Sequence, residues 1–182
     1  MMNNIIVAIR TEDDFDTALH SRPDIFFDLA PNIFTLAYEV KQAHKYNKKL
    51  YIHIDLAKGI AGDKHGLMYA RELGVDGIIS TRTHTIKLAK EAGLKTVQRF
   101  FVVDSHFVDT TLDSVAVSKP DMIEIMPGII TKVIARLKSK LDTPLIAGGL
   151  IETPDEAQAA ISAGAFAVST GAKNLWDNAS IN

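Results

Sequence analysis

The chain has 182 residues, 47 % of them hydrophobic and 23 % charged, and a formal net charge of −2. That length holds one domain with a real core and is too short for two comfortable ones, so a single domain over residues 1–182 is expected, and the composition excludes a disordered chain. The absence of cysteine excludes a disulfide framework and a thiolate metal site, and the charge gives no global electrostatic reason to bind nucleic acid.

The first apolar run, "IIVAIR" (5–10), is too short for a signal segment or a membrane span, and acids follow it. A cytoplasmic protein with no membrane partner is expected. The run is followed by seven more: "DIFFDLA" (24–30), "KLYIHIDLA" (49–57), "VDGIIST" (75–81), "KTVQRFFVVD" (95–104), "DMIEIMPG" (121–128), "PLIAGGLI" (144–151) and "AFAVST" (165–170). Helix-period segments lie between them. Pro31 suits a first helical turn. Gly74, Gly93 and Gly164 stand where a helix C-terminus takes a left-handed residue. Thr153, Pro154 and Glu156 read as a capping box with Pro at the first helical position. The closing "NLW" reads as a short last helix.

Strand–helix alternation means parallel pairing with right-handed crossovers. Eight units are the number at which such a sheet closes, so the expected fold is α/β, a compact TIM-type (β/α)8 barrel. At about 22 residues per unit the loops must be minimal. An open doubly wound sheet, with its usual five or six strands, is the runner-up.

Strand parity then sorts the side chains. Ile52, Ile54 and Leu56 should face the helices, with Tyr51, His53 and Asp55 pointing into the barrel. By the same rule Val7 and Ile9 point out and Ala8 and Arg10 in; Ile123 and Ile125 point out and Glu124 and Met126 in. Polar residues thus gather at the C-terminal strand ends, where barrels keep their sites.

Gly148 and Gly149 end the seventh run; Ser169, Thr170 and Gly171 end the eighth. Glycine lets a ligand oxygen reach backbone N–H groups, and the N-terminus of the "NLW" helix can face an anion. Strands seven and eight are where this architecture recurrently binds phosphate, so these five residues are the expected phosphate-binding set. Arg10, His53, Asp55, Lys58, Arg82, Gln98 or Arg99, and Glu124 are the candidate ligand contacts around the mouth: carboxylates accept from hydroxyls and cations supply charge. Lys58 lies in "AKGIAGD", the expected mobile flap. No metal site and no cofactor is read, because His53 and Asp55 have no second histidine near them in sequence.

Taken together, "DGIISTR" (76–82), "QRFFVVDS" (98–105), "IEIMPG" (123–128), "IAGGLIET" (146–153) and "NLW" resemble the glycerol uptake operon antiterminator regulatory protein family, with similarity from "VAIR" to Trp176. The resemblance implies a TIM-type barrel that senses glycerol 3-phosphate and acts on the leader of glycerol-operon messenger RNA, preventing early termination. RNA-contact candidates are Lys132, Arg136 and Lys140 at four-residue spacing, with Lys138 beside them, and the Lys41, Lys45, Lys48 and Lys49 cluster. No RNA-module motif and no exposed aromatic row for base stacking is apparent. The alternative is a small phosphate-substrate enzyme of lyase, isomerase or decarboxylase type. Asp55, Lys58 and Asp63 would supply its acid–base group, loosely like the orotidine-monophosphate decarboxylase pattern but with different spacing. A loop-poor barrel also suits a homodimer, although no helix carries an excess apolar stripe.

Overall fold

The computed structural model describes residues 4–177. Eight strands, β1 (Ile5–Ile9), β2 (Ile25–Asp28), β3 (Lys49–His53), β4 (Gly77–Ser80), β5 (Lys95–Phe101), β6 (Met122–Met126), β7 (Leu145–Gly148) and β8 (Ala167–Thr170), form a closed parallel barrel in sequence order. Closure is direct, with Ile5 of β1 opposite Val168 of β8 and Val7 opposite Thr170. Eight helices alternate with the strands: α1 (Glu12–Leu19), α2 (Leu36–Lys45), α3 (Lys64–Glu72), α4 (Thr83–Glu91), α5 (Phe107–Ser118), α6 (Thr131–Lys138), α7 (Pro154–Ser162) and α8 (Lys173–Trp176). This is the (β/α)8 barrel, built without an inserted lid.

Two apolar layers follow from the period of two in each strand. Ile6, Phe27, Tyr51, Ile79, Val97, Ile146 and Ala167 fill the barrel interior. Val7, Phe26, Ile52, Ile78, Ile123, Ile125, Ala147 and Val168 pack outward against helix residues such as Phe15, Val40, Leu67 and Ile134. A side chain at Gly77 would collide with the Tyr51 ring, its Cβ lying 2.2 Å from Cε1, so that glycine makes room for the largest interior residue.

Helix ends follow the expected chemistry. Thr153 and Glu156 form the capping box, with Pro154 at the first helical position. Gly74, Gly93 and Gly164 have φ of +92°, +81° and +106°. A second capping box, which the sequence reading missed, joins Thr11 and Asp14 at the start of α1.

Three expectations are corrected. The third run leaves the sheet at His53, and Ile54–Leu56 form a 3-10 turn. Ile54 is still buried, but Leu56 turns to solvent instead of facing the helices. The fifth strand ends at Phe101, before "VVD". Pro31 lies in the β2–α2 loop, where its carbonyl accepts from the Lys58 N–H at 2.8 Å, and α2 begins only at Leu36.

The short α8 closes the outer layer. Trp176 is fully buried and its indole Nε1 donates to the Thr170 carbonyl at 3.0 Å. Trp176→Ala is expected to cost about 3–5 kcal/mol, a fall of roughly 6–20 °C in Tm for a domain of this size. A thermal melt unchanged within a few degrees would contradict that role.

Candidate functional site

The C-terminal end of the barrel opens into a cavity of about 660 Å³. Ala8, Leu29, Arg99, Glu124 and Met126 line it from within the barrel; Arg10, Asp14, Gly149 to Glu152, Ser169 to Ala172 and Asn174 line its rim. Parity explains the inner set. Val97 faces inward, so Arg99, two residues on, does too. Gln98 points the other way, into a buried network in which its amide donates to Thr83 and Ser114 while its oxygen accepts from Ser118. Of the two candidates, the structure therefore brings Arg99 to the cavity.

Arg99 and Glu124 form an ion pair inside the barrel, Nε to Oε2 at 2.6 Å, with side chains only 5 % and 1 % exposed. Gly148 belongs to this pair. A Cβ there would sit 2.3 Å from Glu124 Oε1, so its missing side chain is the space the carboxylate occupies. Gly149 is fixed by backbone: its φ is +74°, and Leu150 after it, at +59°, is also left-handed. A bulky residue at positive φ is uncommon and strained, and this one lies on the cavity rim.

Gly171 differs from both. It has no positive φ, and a Cβ there would meet only the Ala8 carbonyl, at an ordinary 3.5 Å. Nothing within the protein requires glycine at that position. Ser169 points inward beside it, buried and with no side-chain hydrogen bond among the described residues. Thr170, by contrast, is committed. Its hydroxyl donates to the Ile151 carbonyl at 2.7 Å and accepts from the Ala172 N–H at 3.0 Å, tying the loop after β8 to the loop after β7. The cavity thus offers one free hydroxyl, open backbone at Gly171, the Arg10 guanidinium, which has no carboxylate partner among the described residues, and a buried charge pair. That set suits a small anion carrying hydroxyls.

The remaining candidates lie outside the lining. His53 is buried inside the barrel. Burial and the nearby Arg99 charge push its pKa down to about 4, and its Nδ1 has no hydrogen-bond partner among the described residues. Asp55, on the 3-10 turn, accepts from Ser80, from the Thr81 N–H and from the Thr81 hydroxyl. Burial raises its pKa, but these hydrogen bonds outweigh it and hold the group ionised. Arg82 is largely exposed, 4.0 Å from Asp55. Lys58 is exposed on a loop pinned to the β2–α2 loop by an isolated bridge to Asn32. Asp63 caps α3 by accepting from the Gly66 N–H, and among the described residues Lys58 makes no ion pair with it or with Asp55.

Lys132 and Arg136 are exposed on α6, and Lys140 lies beyond its end. The Lys41 to Lys49 cluster is broken up: Lys48 is buried and donates to the carbonyls of Ser21 and Pro23. Among the described residues no helix is long and apolar enough to cross a membrane, and no three metal-ligating side chains converge.

Comparison with known proteins agrees with the fold. The family described as "Glycerol-3-phosphate responsive antiterminator" matches residues 5–176. The uncharacterized protein YgcP of Escherichia coli (strain K12) is 34 % identical over 175 residues, covering 96 % of this chain and 92 % of that protein. The glycerol uptake operon antiterminator regulatory protein of Listeria monocytogenes superposes with a TM-score of 0.89 at 35 % identity, covering 95 % of this chain and 94 % of the other. A glycerol uptake operon antiterminator-related protein of Thermotoga maritima does so at 0.85 and 28 %, covering 97 % and 99 %. Phosphate-ester enzymes at 11 % to 17 % identity share the fold alone. The chain belongs to the glycerol-3-phosphate responsive antiterminator family, whose members include regulators of the glycerol uptake operon.

Proposed function

We propose that this chain is a cytoplasmic, non-enzymatic sensor of glycerol 3-phosphate that acts on the messenger RNA leader of a glycerol operon to prevent early termination. The observation that carries the ligand half is the pairing of Gly171 with Ser169. Open backbone that the protein itself does not require adjoins a free inward hydroxyl at the end of β8, where barrels recurrently bind phosphate. The phosphate sits against Gly149, Ser169 and Gly171, with Arg10 supplying charge; the glycerol hydroxyls reach down to Arg99 and Glu124. Gly148 and Thr170 support this cradle from behind. The family and the Listeria relative support the regulatory half.

Calorimetric titration with glycerol 3-phosphate tests the reading, with glycerol and inorganic phosphate as controls. Saturable binding that needs both portions is expected, stabilising the fold by about 2.7 kcal/mol at 100 times Kd. Ser169→Ala removes a hydrogen bond to a charged group and is expected to weaken binding about tenfold or more. Gly171→Ala has room within the protein and should fold normally while crowding the phosphate. Unchanged affinity in both variants would remove β8 from the phosphate site.

A further inference from the structure

The mouth of the barrel carries a feature the ligand does not explain. Among the described residues twelve large hydrophobic side chains are exposed, and six of them, Phe34, Leu56, Phe101, Val103, Ile129 and Leu150, stand at the C-terminal strand ends and in the loops that follow. They follow β2, β3, β5, β6 and β7. Phe34 is 91 % exposed and Phe101 52 %. An aromatic ring that far out in water contributes little to the fold.

Charge on the rim is divided. The loops after β7, β8 and β1 bring Glu12, Asp13, Asp14, Glu152 and Asp155, with Lys173 already paired to Asp13 and Asp14. The arc from β2 to β6 is different. Its carboxylates, apart from the exposed Asp109 in the first turn of α5, are engaged locally: Asp55 with Ser80 and Thr81, Asp63 as the α3 cap, and Asp104 with the His106 N–H. Its cations are not. Lys58, Lys64 and Lys132 are exposed with no carboxylate partner among the described residues, and Arg82 has only the 4.0 Å approach of Asp55. Lys64 and Lys132 also occupy the first turns of α3 and α6, and Arg82 is the residue before α4. A cation at a helix N-terminus opposes the helix dipole, so local stability does not account for three of them on one rim. Exposed aromatics interspersed with unpaired cations are what single-stranded nucleic acid requires: rings for stacking and charge for the backbone.

We propose that the arc of loops after β2 to β6 is the surface that holds single-stranded RNA, with Phe34 and Phe101 as stacking platforms and Lys58, Lys64, Arg82 and Lys132 as phosphate contacts. The proposal rests on the antiterminator reading above and places its RNA face around the mouth of the ligand cavity, away from the outer side of α6. Ligand and RNA then share one rim, and linkage requires that any effect of one on the affinity of the other be returned equally.

The test is fluorescence anisotropy of a labelled transcript of the leader preceding the glycerol-utilisation genes of the source genome, at several salt concentrations, with and without glycerol 3-phosphate. Phe34→Ser/Phe101→Ser is expected to weaken RNA binding at least fivefold for each stacked base lost. It should leave glycerol 3-phosphate affinity and thermal stability unchanged, since neither ring lines the cavity. Lys58→Gln/Arg82→Gln should reduce the slope of log K against log salt by about 1.4, or about 0.7 per lost cation. Arg136→Gln/Lys140→Gln should bind as wild type. Loss of binding in that last variant with the rim variants unaffected would overturn the proposal and leave the antiterminator reading standing. A rim variant that shifts a dimer to monomer by sedimentation while keeping RNA affinity would reassign the arc to self-association. If the wild-type protein binds no leader RNA under either condition, the proposal and the RNA half of the functional reading fall together, and the calorimetric titration still decides the ligand half.

Discussion

Glu124→Gln is expected to destabilise the protein by about 3–5 kcal/mol, because it leaves the Arg99 charge buried without its counter-ion. The two side chains are 5 % and 1 % exposed and meet at 2.6 Å, so little of the stranded charge is open to water in the cavity. For a domain of this size that is a fall of roughly 6–20 °C in Tm. The double variant Arg99→Met/Glu124→Met makes the opposite case. It removes both charges, and apolar residues of similar volume in place of a buried pair are often neutral or stabilising. Stability close to wild type is therefore expected, together with loss of the glycerol 3-phosphate binding proposed above, which sets the glycerol hydroxyls against this pair. That contrast would identify the pair as a ligand contact that the fold tolerates. A double variant as unstable as the single one would show instead that the pair holds the barrel together.

The barrel was legible because it is written as period and punctuation. A strand between a filled interior and a ring of helices has two apolar faces of different size, so parity alone assigns Ile52 outward and Tyr51 inward, and it carries Glu124 into the interior. The site was less legible, for three physical reasons. A 3-10 turn of three residues leaves no period to read, so Asp55 looks like the next inward residue after His53 when its carboxylate serves Ser80 and Thr81. Glycines look alike in sequence whatever they accommodate: Gly148 makes way for Glu124, Gly149 adopts a left-handed backbone, and only Gly171 is left without a reason inside the protein. In β5, polar residues occupy both faces, so Gln98 and Arg99 could be separated only by the inward position of Val97 and by the Ser114 and Ser118 partners that Gln98 finds beneath the helices. Exposed Phe34 and Phe101 escaped notice because an isolated aromatic in a short loop or at a strand end carries no period that marks it as exposed.

Asp28→Asn is expected to stabilise the protein at pH 8 and to leave it unchanged below pH 4. Asp28 ends β2 on the face turned toward the helices, 7 % exposed, and makes no ion pair among the described residues; one carboxylate oxygen accepts from the Ala30 N–H. Burial is the main cause that pushes its pKa up to about 7, the Ala30 bond pulls it back, and Glu39 on α2 raises it further. Glu39 is itself held above the usual range by burial, and its Oε2 has no hydrogen-bond partner among the described residues. The folded pKa lies above the unfolded one, so the folded protein keeps a proton that the unfolded chain has lost over the interval from about pH 4 to 7. Stability is full below that interval and declines across it, by about 1.4 kcal/mol per pH unit, or on the order of 4 kcal/mol in all. Asparagine keeps the acceptor for Ala30, and it has no charge to strand in the interior. Denaturant unfolding of both proteins at pH 4, 6 and 8 reads the effect directly. A wild-type curve that falls with pH beside a flatter variant curve is the expected result, and parallel curves would mean that Asp28 titrates as an ordinary surface carboxylate.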